Sequence, residues 1–418
     1  VEVGKINYPL DKQYYPKVAT WTYKLLDRAY GESQKQKRNK VLINPFGGKG
    51  SAQKYYARDI APILSAARCT IDVERTQYRG HAVEIAEHLD IDAYDVVASC
   101  SGDGLPHEVF NGLGNRRDAR TALAKVAVVQ FPCGSGNAMS LNLNDTDSPS
   151  LAALCVIKGL RTPLDLISVT QGDKRILSFL SQSLGIVAET DLGTDNLRWM
   201  GGHRFTFGLA VRILGKTVYP CDIAVKVEIE DKKDIKAHYR RELENRTPAE
   251  SRRGDISSDA GLLPKHEGDG LPVLKYGAVS DPLPAGWNLV PHHQLGNFYA
   301  GNMTLMAAAT PFFPATLPND GCLDLVCIDG DCSRFVAVKV LTSVENGKLF
   351  EMEQVSYRKV LGYRVIPKSK GDGAGWISID GESVPFQPFQ AEVHRGLGTV
   401  LSRSGHTYEP DGLLSMGS

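Results

Sequence analysis

The chain has 418 residues, and its 48 Lys plus Arg equal its 48 Asp plus Glu, so the formal net charge is zero. No global field draws it onto nucleic acid or an anionic surface, and any basic site must be local. Hydrophobic residues at 42% and charged residues at 23% exclude a disordered or fibrous chain, and the length predicts two domains.

The eight cysteines form no Cys-x-x-Cys pair, which suits a reducing, cytoplasmic setting. No run approaches the ~18 apolar residues of a spanning helix. The stretch Val1–Pro9 lacks the basic and apolar parts of a secretory signal, and a start at Val leaves room for a segment ahead of it.

Residues 1–38 read as a helix followed by a linker, because Trp21, Leu25, Leu26 and Tyr30 recur at near-helical spacing before a polar, basic run. Residues 39–160 alternate strand, glycine-rich turn and helix. Strands are expected at VLIN, 70–75, 95–100 and 126–131, and helices up to Ala67, at 80–90 and up to Leu113. That rhythm predicts an α/β domain with a doubly wound, mostly parallel sheet, which binds ligands at the carboxyl ends of its strands. Over 161–405 the β-like runs follow one another at 163–170, 175–189, 222–229, 298–303, 322–329, 360–367 and 375–382, with one amphipathic helix at 195–214. An antiparallel β-sandwich domain is expected there. Within it, residues 244–286 are rich in Pro, Gly, Ser and charge and read as a mobile insertion, and 406–418 as a tail.

Three glycine-rich turns end strands of the first domain: Asn44-Pro45-Phe46-Gly47-Gly48-Lys49-Gly50, Ser101-Gly102-Asp103-Gly104 and Pro132-Cys133-Gly134-Ser135-Gly136-Asn137. Such turns let backbone N–H groups approach a phosphate at a helix N-terminus, so three on one sheet edge suggest a nucleotide. The first turn is not a Walker A loop, because Gly50 follows Lys49 where Ser or Thr belongs. Asp103, between two glycines, suits a general base or a group that positions a hydroxyl and magnesium; an Asp-Gly turn without chemistry is the bland alternative.

The order NPFGGKG, SGDGLPHEVFNGL, FPCGSGNAM, DLGTDNLRWMGGHRFTFG and SIDGE resembles the diacylglycerol-kinase-like catalytic superfamily and, within it, the sphingosine kinases. FPCGSGNAMS and PFFPATLPNDG are most similar to the fungal long-chain-base kinases. The resemblance implies a lipid kinase that uses ATP with Mg2+ to phosphorylate the primary hydroxyl of a sphingoid base, with Asp103 as catalytic base. It places Asn44, Pro45, Gly47, Gly48, Lys49, Gly50 and Thr76 on the nucleotide, with Ser101, Gly102, Gly104 and Glu108 beside the triphosphate. Gly134, Ser135 and Gly136 complete that cradle, Arg198 and Arg204 supply positive charge, and Asp380, Gly381 and Glu382 reach it from the second domain. Magnesium would be held through ATP with Asp103 or Asp380; Asp380 is equally a hairpin-turn residue.

Substrate choice, on the same resemblance, rests on Asp191, whose carboxylate would take the ammonium and hydroxyls of the lipid head; a helix N-cap is its other reading, shared by Asp195. Ile186, Val187, Phe205, Leu209 and Ile213 would line the tail pocket, or serve as ordinary core. Phe312 and Phe313 are open to lipid contact or to burial. A long-chain substrate requires peripheral membrane contact, nucleic acid is not expected, and a homodimer is an option. The remaining alternatives are a ceramide or diacylglycerol kinase and a nucleotide- or lipid-binding pseudokinase, while the order around Arg198 and Arg204 counts against NAD kinase.

Overall fold

A computed structural model describes residues 9–47, 50–193, 218–245, 269–331, 333–345, 347–368 and 375–413. Helix α1 (Tyr15–Tyr30) leads into four parallel strands, β1 (Arg38–Ile43), β2 (Thr70–Arg75), β3 (Val96–Ser101) and β4 (Ala127–Pro132), which lie in the order β4-β3-β1-β2. Alternation along these strands feeds two cores, as period-two side chains require. Leu42, Val97 and Val128 face one side, against α4 (His81–Glu87), α5 (Gly104–Gly114), α6 (Ala119–Lys125) and α7 (Ala138–Asn144). Val41, Ile43, Ala98 and Val129 face the other, against α2 (Ala52–Tyr55), α3 (Ala61–Ala66) and α8 (Pro149–Lys158). Hydrophobic cover on both faces is what a parallel sheet needs.

The remaining strands are β5 (Leu160–Gln171), β6 (Lys174–Ser178), β7 (Ser181–Gly185), β8 (Cys221–Ile229), β9 (Val290–His292), β10 (Leu295–Gly301), β11 (Leu323–Asp329), β12 (Ser356–Pro367), β13 (Ile377–Ile379), β14 (Glu382–Val384) and β15 (Phe389–Ser402). Apart from one contact they pair antiparallel, in the path β14-β13-β7-β10-β11-β12-β15. That contact is Val400 of β15 beside Val128 of β4, in parallel, so the last strand belongs to both halves. The expected α/β half followed by an antiparallel β-rich half is observed.

Three expectations need correction. The run 175–189, expected as one β segment, holds two strands and then turns at Gly185 (φ 105°) into helix α9 (Ile186–Gly193). A Cβ at residue 185 would stand 2.5 Å from the carbonyl oxygen of Gly296, so only glycine makes that turn. The β-rich half also carries α10 (Lys232–Glu244) and α11 (Arg334–Glu345), while the expected helix at 195–214 lies outside the described residues. Finally, residues 269–286 of the supposed mobile insertion are fastened at many points. Arg120 of α6 donates to the Gly270 carbonyl (3.0 Å), Glu392 of β15 accepts from the backbone N–H groups of Lys275 and Tyr276, and Arg364 of β12 donates to the carbonyls of Ala278 and Asp281.

The β-rich half buries a charge cluster. Lys359 of β12, 0% exposed, stands 2.7 Å from Asp320 and 2.8 Å from Asp324, and Tyr357 donates to Asp324 at 2.7 Å. Burial opposes ionisation of Asp320, yet the Lys359 ammonium and hydrogen bonds from His238, Lys359 and the Cys322 N–H hold it down to about 2. The Lys359 ammonium is likewise held charged, against its burial, by both carboxylates. Phe312 and Phe313 are buried against Tyr299, which settles their two readings in favour of core.

Candidate active site

The carboxyl ends of β1, β3 and β4 deliver the three glycine turns to one place, as the alternating strands and helices predict. Asn44 closes the first turn by accepting from the N–H groups of Phe46 (2.9 Å) and Gly47 (3.0 Å), an Asx turn that holds the loop open above β1. Pro45 sits at its shoulder, Gly50 takes a positive φ (67°), and Gly48 and Lys49 lie outside the described residues. Thr76 is buried at the end of β2, bonded to the Ile43 carbonyl. The second and third turns touch backbone to backbone: a Cβ at Gly134 would fall 2.3 Å from the Gly102 backbone. That close approach draws Ser101, Gly102 and Asp103 beside Gly134, Ser135 and Gly136.

Asp103 is the N-cap of α5, and its carboxylate aims at the start of α7. Oδ1 accepts from the Met139 N–H (3.0 Å) and the Gln130 side chain (3.2 Å), whereas Oδ2, among the described residues, accepts only from the Ala138 N–H (3.0 Å). A carboxylate has about four acceptor positions, so Oδ2 retains capacity. Gly136 leaves room beside it, since a Cβ there would stand 3.3 Å from Oδ2. Burial pushes the Asp103 pKa up, the three hydrogen bonds pull it down, and the charge of Asp380 adds to the rise; the net direction is upward.

Gln130, which sequence reasoning passed over, is the support behind this geometry. Fully buried on β4, it donates to Asp103 and accepts from the Ser140 N–H (2.9 Å), so neither carboxylate nor helix can rotate away. A lone amide within the apolar run VAVVQF was the available signal.

The second half meets this site through a two-residue hairpin. Asp380 (φ 53°) and Gly381 (φ 83°) both take positive φ between paired Ile379 and Glu382, the conformation that favours Asp-Gly. Asp380 does not face the cleft. Its oxygens accept five hydrogen bonds: from Ser178 Oγ (2.6 Å), from the N–H groups of Phe179 (3.0 Å), Leu180 (2.9 Å) and Ser181 (2.9 Å), and from His107 Nδ1 (2.8 Å). No oxygen is left for nucleotide or magnesium, which corrects the contact expected of Asp380. Burial works against a charged His107, yet the hydrogen bond and charge of Asp380, with Glu382 and Glu108 nearby, hold its pKa above the usual value.

Glu382 does reach the cleft. Its Oε1 would stand 3.2 Å from a Cβ at Gly104, and its Oε2 pairs with Arg79, an exposed residue of the turn after β2. Arg79 is a cation at the site that sequence reasoning missed; the preceding Thr76 was its only pointer. Glu108, expected beside the triphosphate, caps α4 instead, accepting from the N–H groups of Gly80 (3.0 Å) and Ala82 (3.1 Å).

Of the expected lipid contacts, Asp191 belongs to the last turn of α9, not to a helix N-cap. Ile186 is buried in the sandwich core and Val187 packs against a second cluster beneath α10 and α11. Arg198, Arg204, Phe205, Leu209, Ile213 and Asp195 lie outside the described residues.

Residues 38–169 match the diacylglycerol kinase catalytic domain family. Sphingoid long chain base kinase 5 of Saccharomyces cerevisiae is 38% identical over 93% of the chain, which spans 62% of that relative's length. Sphingoid long chain base kinase 4 of Schizosaccharomyces pombe is 34% identical over 90% of the chain and 78% of its own length, and human sphingosine kinase 1 is 29% identical over 85% and 88%. In fold, the crystal structure of a diacylglycerol kinase from Bacillus anthracis superposes with a TM-score of 0.56 at 15% identity, covering 88% of this chain and 98% of its own. A glycine-cradled carboxylate between an α/β half and a β-rich half, together with these similarities, shows that the chain belongs to the sphingoid long-chain-base kinase family.

Proposed function

We propose that this protein transfers the γ-phosphoryl group of ATP to the primary hydroxyl of a sphingoid long-chain base. The observation that carries the reading is the Asp103 carboxylate, anchored by Gln130 and the start of α7, with one oxygen still able to accept. In the proposed reaction Oδ2 takes the hydroxyl proton as the lipid oxygen bonds to the γ-phosphorus and the bond to the β-phosphate oxygen breaks, releasing ADP. A raised pKa favours the base, because the proton it receives is held more firmly than by an ordinary carboxylate.

The glycine turns offer backbone N–H groups to the phosphates, and the Arg79–Glu382 pair borders them. Arg198 and Arg204 add positive charge. Magnesium would be carried on the triphosphate, with Asp103 Oδ2 and Glu382 the carboxylate oxygens able to touch it. Once bound it would neutralise developing phosphate charge. Asp191 takes the lipid ammonium, which distinguishes a sphingoid base from diacylglycerol.

Such a substrate resides in bilayers, so the enzyme meets a membrane from the cytoplasmic side. No helix among the described residues is long and apolar enough to cross one. Mass spectrometry after incubation with ATP and a panel of sphingosine, sphinganine, phytosphingosine, ceramide and diacylglycerol tests the assignment. Phosphate on the free bases is expected; phosphate on ceramide or diacylglycerol alone would replace the substrate, and none on any lipid would leave a binding protein.

A further inference from the structure

Helix α5 starts at the Asp103 turn and carries two side chains, one turn apart, into the β-rich half. Asn111 accepts from the Leu177 N–H (2.9 Å) and donates to its carbonyl (2.8 Å), a fixed bracket between α5 and β6. One turn nearer the site, His107 meets Asp380 at 2.8 Å. The His107 N–H in turn donates to the Asp103 carbonyl at 3.2 Å, so His107 and Asp103 share the first turn of one helix.

We propose that His107 is a positioning residue for the kinase reaction: through Asp380 it locks the Asp-Gly-Glu hairpin to the helix that begins at Asp103, and so holds Glu382 over Gly104 beside Arg79. The proposal rests on the reading of this site as a nucleotide cleft. Its physical basis is a division of labour within the hairpin. Asp380 is pinned on its own side by Ser178 Oγ and the N–H groups of residues 179–181. Those bonds orient the carboxylate but do not tie it to the first half. Of the five donors to Asp380, only His107 comes from the α/β half.

Glu382 follows Asp380 by two residues across a tight turn, so a shift of the hairpin is transmitted to Glu382 with little slack. Its other attachment at the cleft, Arg79, is 74% exposed on the side chain and cannot fix a position by itself. His107 itself is nearly enclosed, with a side chain 12% exposed and its Nδ1 on Asp380, so it acts through the hairpin.

Three variants separate the hydrogen bond from mere packing. His107→Ala removes ring and donor; His107→Phe keeps a ring without the donor; His107→Asn places an amide N–H near the position of Nδ1. The expected result is a rise of about tenfold in KM for ATP for Ala and Phe, the KM for sphingosine staying within about twofold, and Asn restoring the ATP value to within about threefold; an effect of that size equals the loss of about 1.4 kcal/mol. Calorimetric titration of the same proteins with ATP and magnesium, without lipid, should reproduce the order in Kd. Should Ala fail to fold by thermal unfolding, the Phe and Asn pair decides. A Phe variant with wild-type ATP affinity overturns the proposal, as does an Asn variant no better than Phe. Wild-type protein that binds ATP but phosphorylates no lipid sinks the kinase reading alone and leaves the Kd order to judge His107; wild-type protein that binds no ATP overturns both.

Discussion

Asp103 and Asp380 each precede a glycine in a tight turn, and both carboxylates sit among backbone N–H groups. They differ in what remains. Asp103 accepts three hydrogen bonds and keeps capacity on Oδ2, beside the space left by Gly136. Asp380 accepts five and keeps none. The Asp320 and Asp324 pair goes further, with an ammonium buried between the two carboxylates. Burial of a carboxylate therefore does not mark chemistry in this fold; an unfilled acceptor position facing a cleft does.

That contrast can be broken in order of expected effect. Asp103→Asn removes the proposed base but keeps the shape, and should lower phosphate transfer by about 10²–10⁴-fold, measured with radiolabelled ATP, while the thermal midpoint holds. Lys359→Met should do the reverse, costing about 3–5 kcal/mol in denaturant unfolding by leaving Asp320 and Asp324 buried without their cation. Asp380→Ala leaves three backbone N–H groups without an acceptor, and a loss of about 3 kcal/mol is expected, with activity falling through disorder of the hairpin. Normal stability in that variant would show that water serves those donors. Smallest is Gly136→Ala, whose methyl group crowds Oδ2: kcat should fall by about tenfold or less with folding unchanged, and an unaffected kcat would place the lipid hydroxyl elsewhere.

The α/β half was legible because three of its four strands end in glycine turns and a helix begins soon after each of them, so period and punctuation agree from Val41 to Asn144. The β-rich half was legible in its strands but not in its helices. In α10 only Ile235 and Tyr239 are buried, a stripe too narrow to stand out from KKDIKAHYRRELE. In α11 the run RFVAVKVLTSVE is rich in β-branched residues, which blunts a helical signal, and Val340 and Val344 one turn apart pack together on one cluster. Strand β15 was hidden by the register shift between His394 and Gly398.

At the site, Asp103 could be singled out from its glycines. That Asp380 and Glu108 are saturated could not, because their donors lie 28 residues away for Glu108 and Gly80 and about 200 away for Asp380 and residues 179–181. Arg79 and Gln130 escaped for a related reason: each acquires its meaning only from a partner brought in by the fold.

The central claim is that Asp103 acts as a base whose pKa is raised from the usual Asp value by its burial. A base must be ionised to work, so activity is present above its pKa and lost as pH falls through it. The direct measurement is the pH dependence of kcat/KM for phosphate transfer from ATP to sphingosine, in the wild type and in Asp103→Asn. An acid limb above the usual Asp value of about 3.9 in the wild type, absent from a residual rate at least about 100-fold lower in the variant, is the predicted result. A variant that keeps a near-wild-type rate with the same acid limb would contradict it.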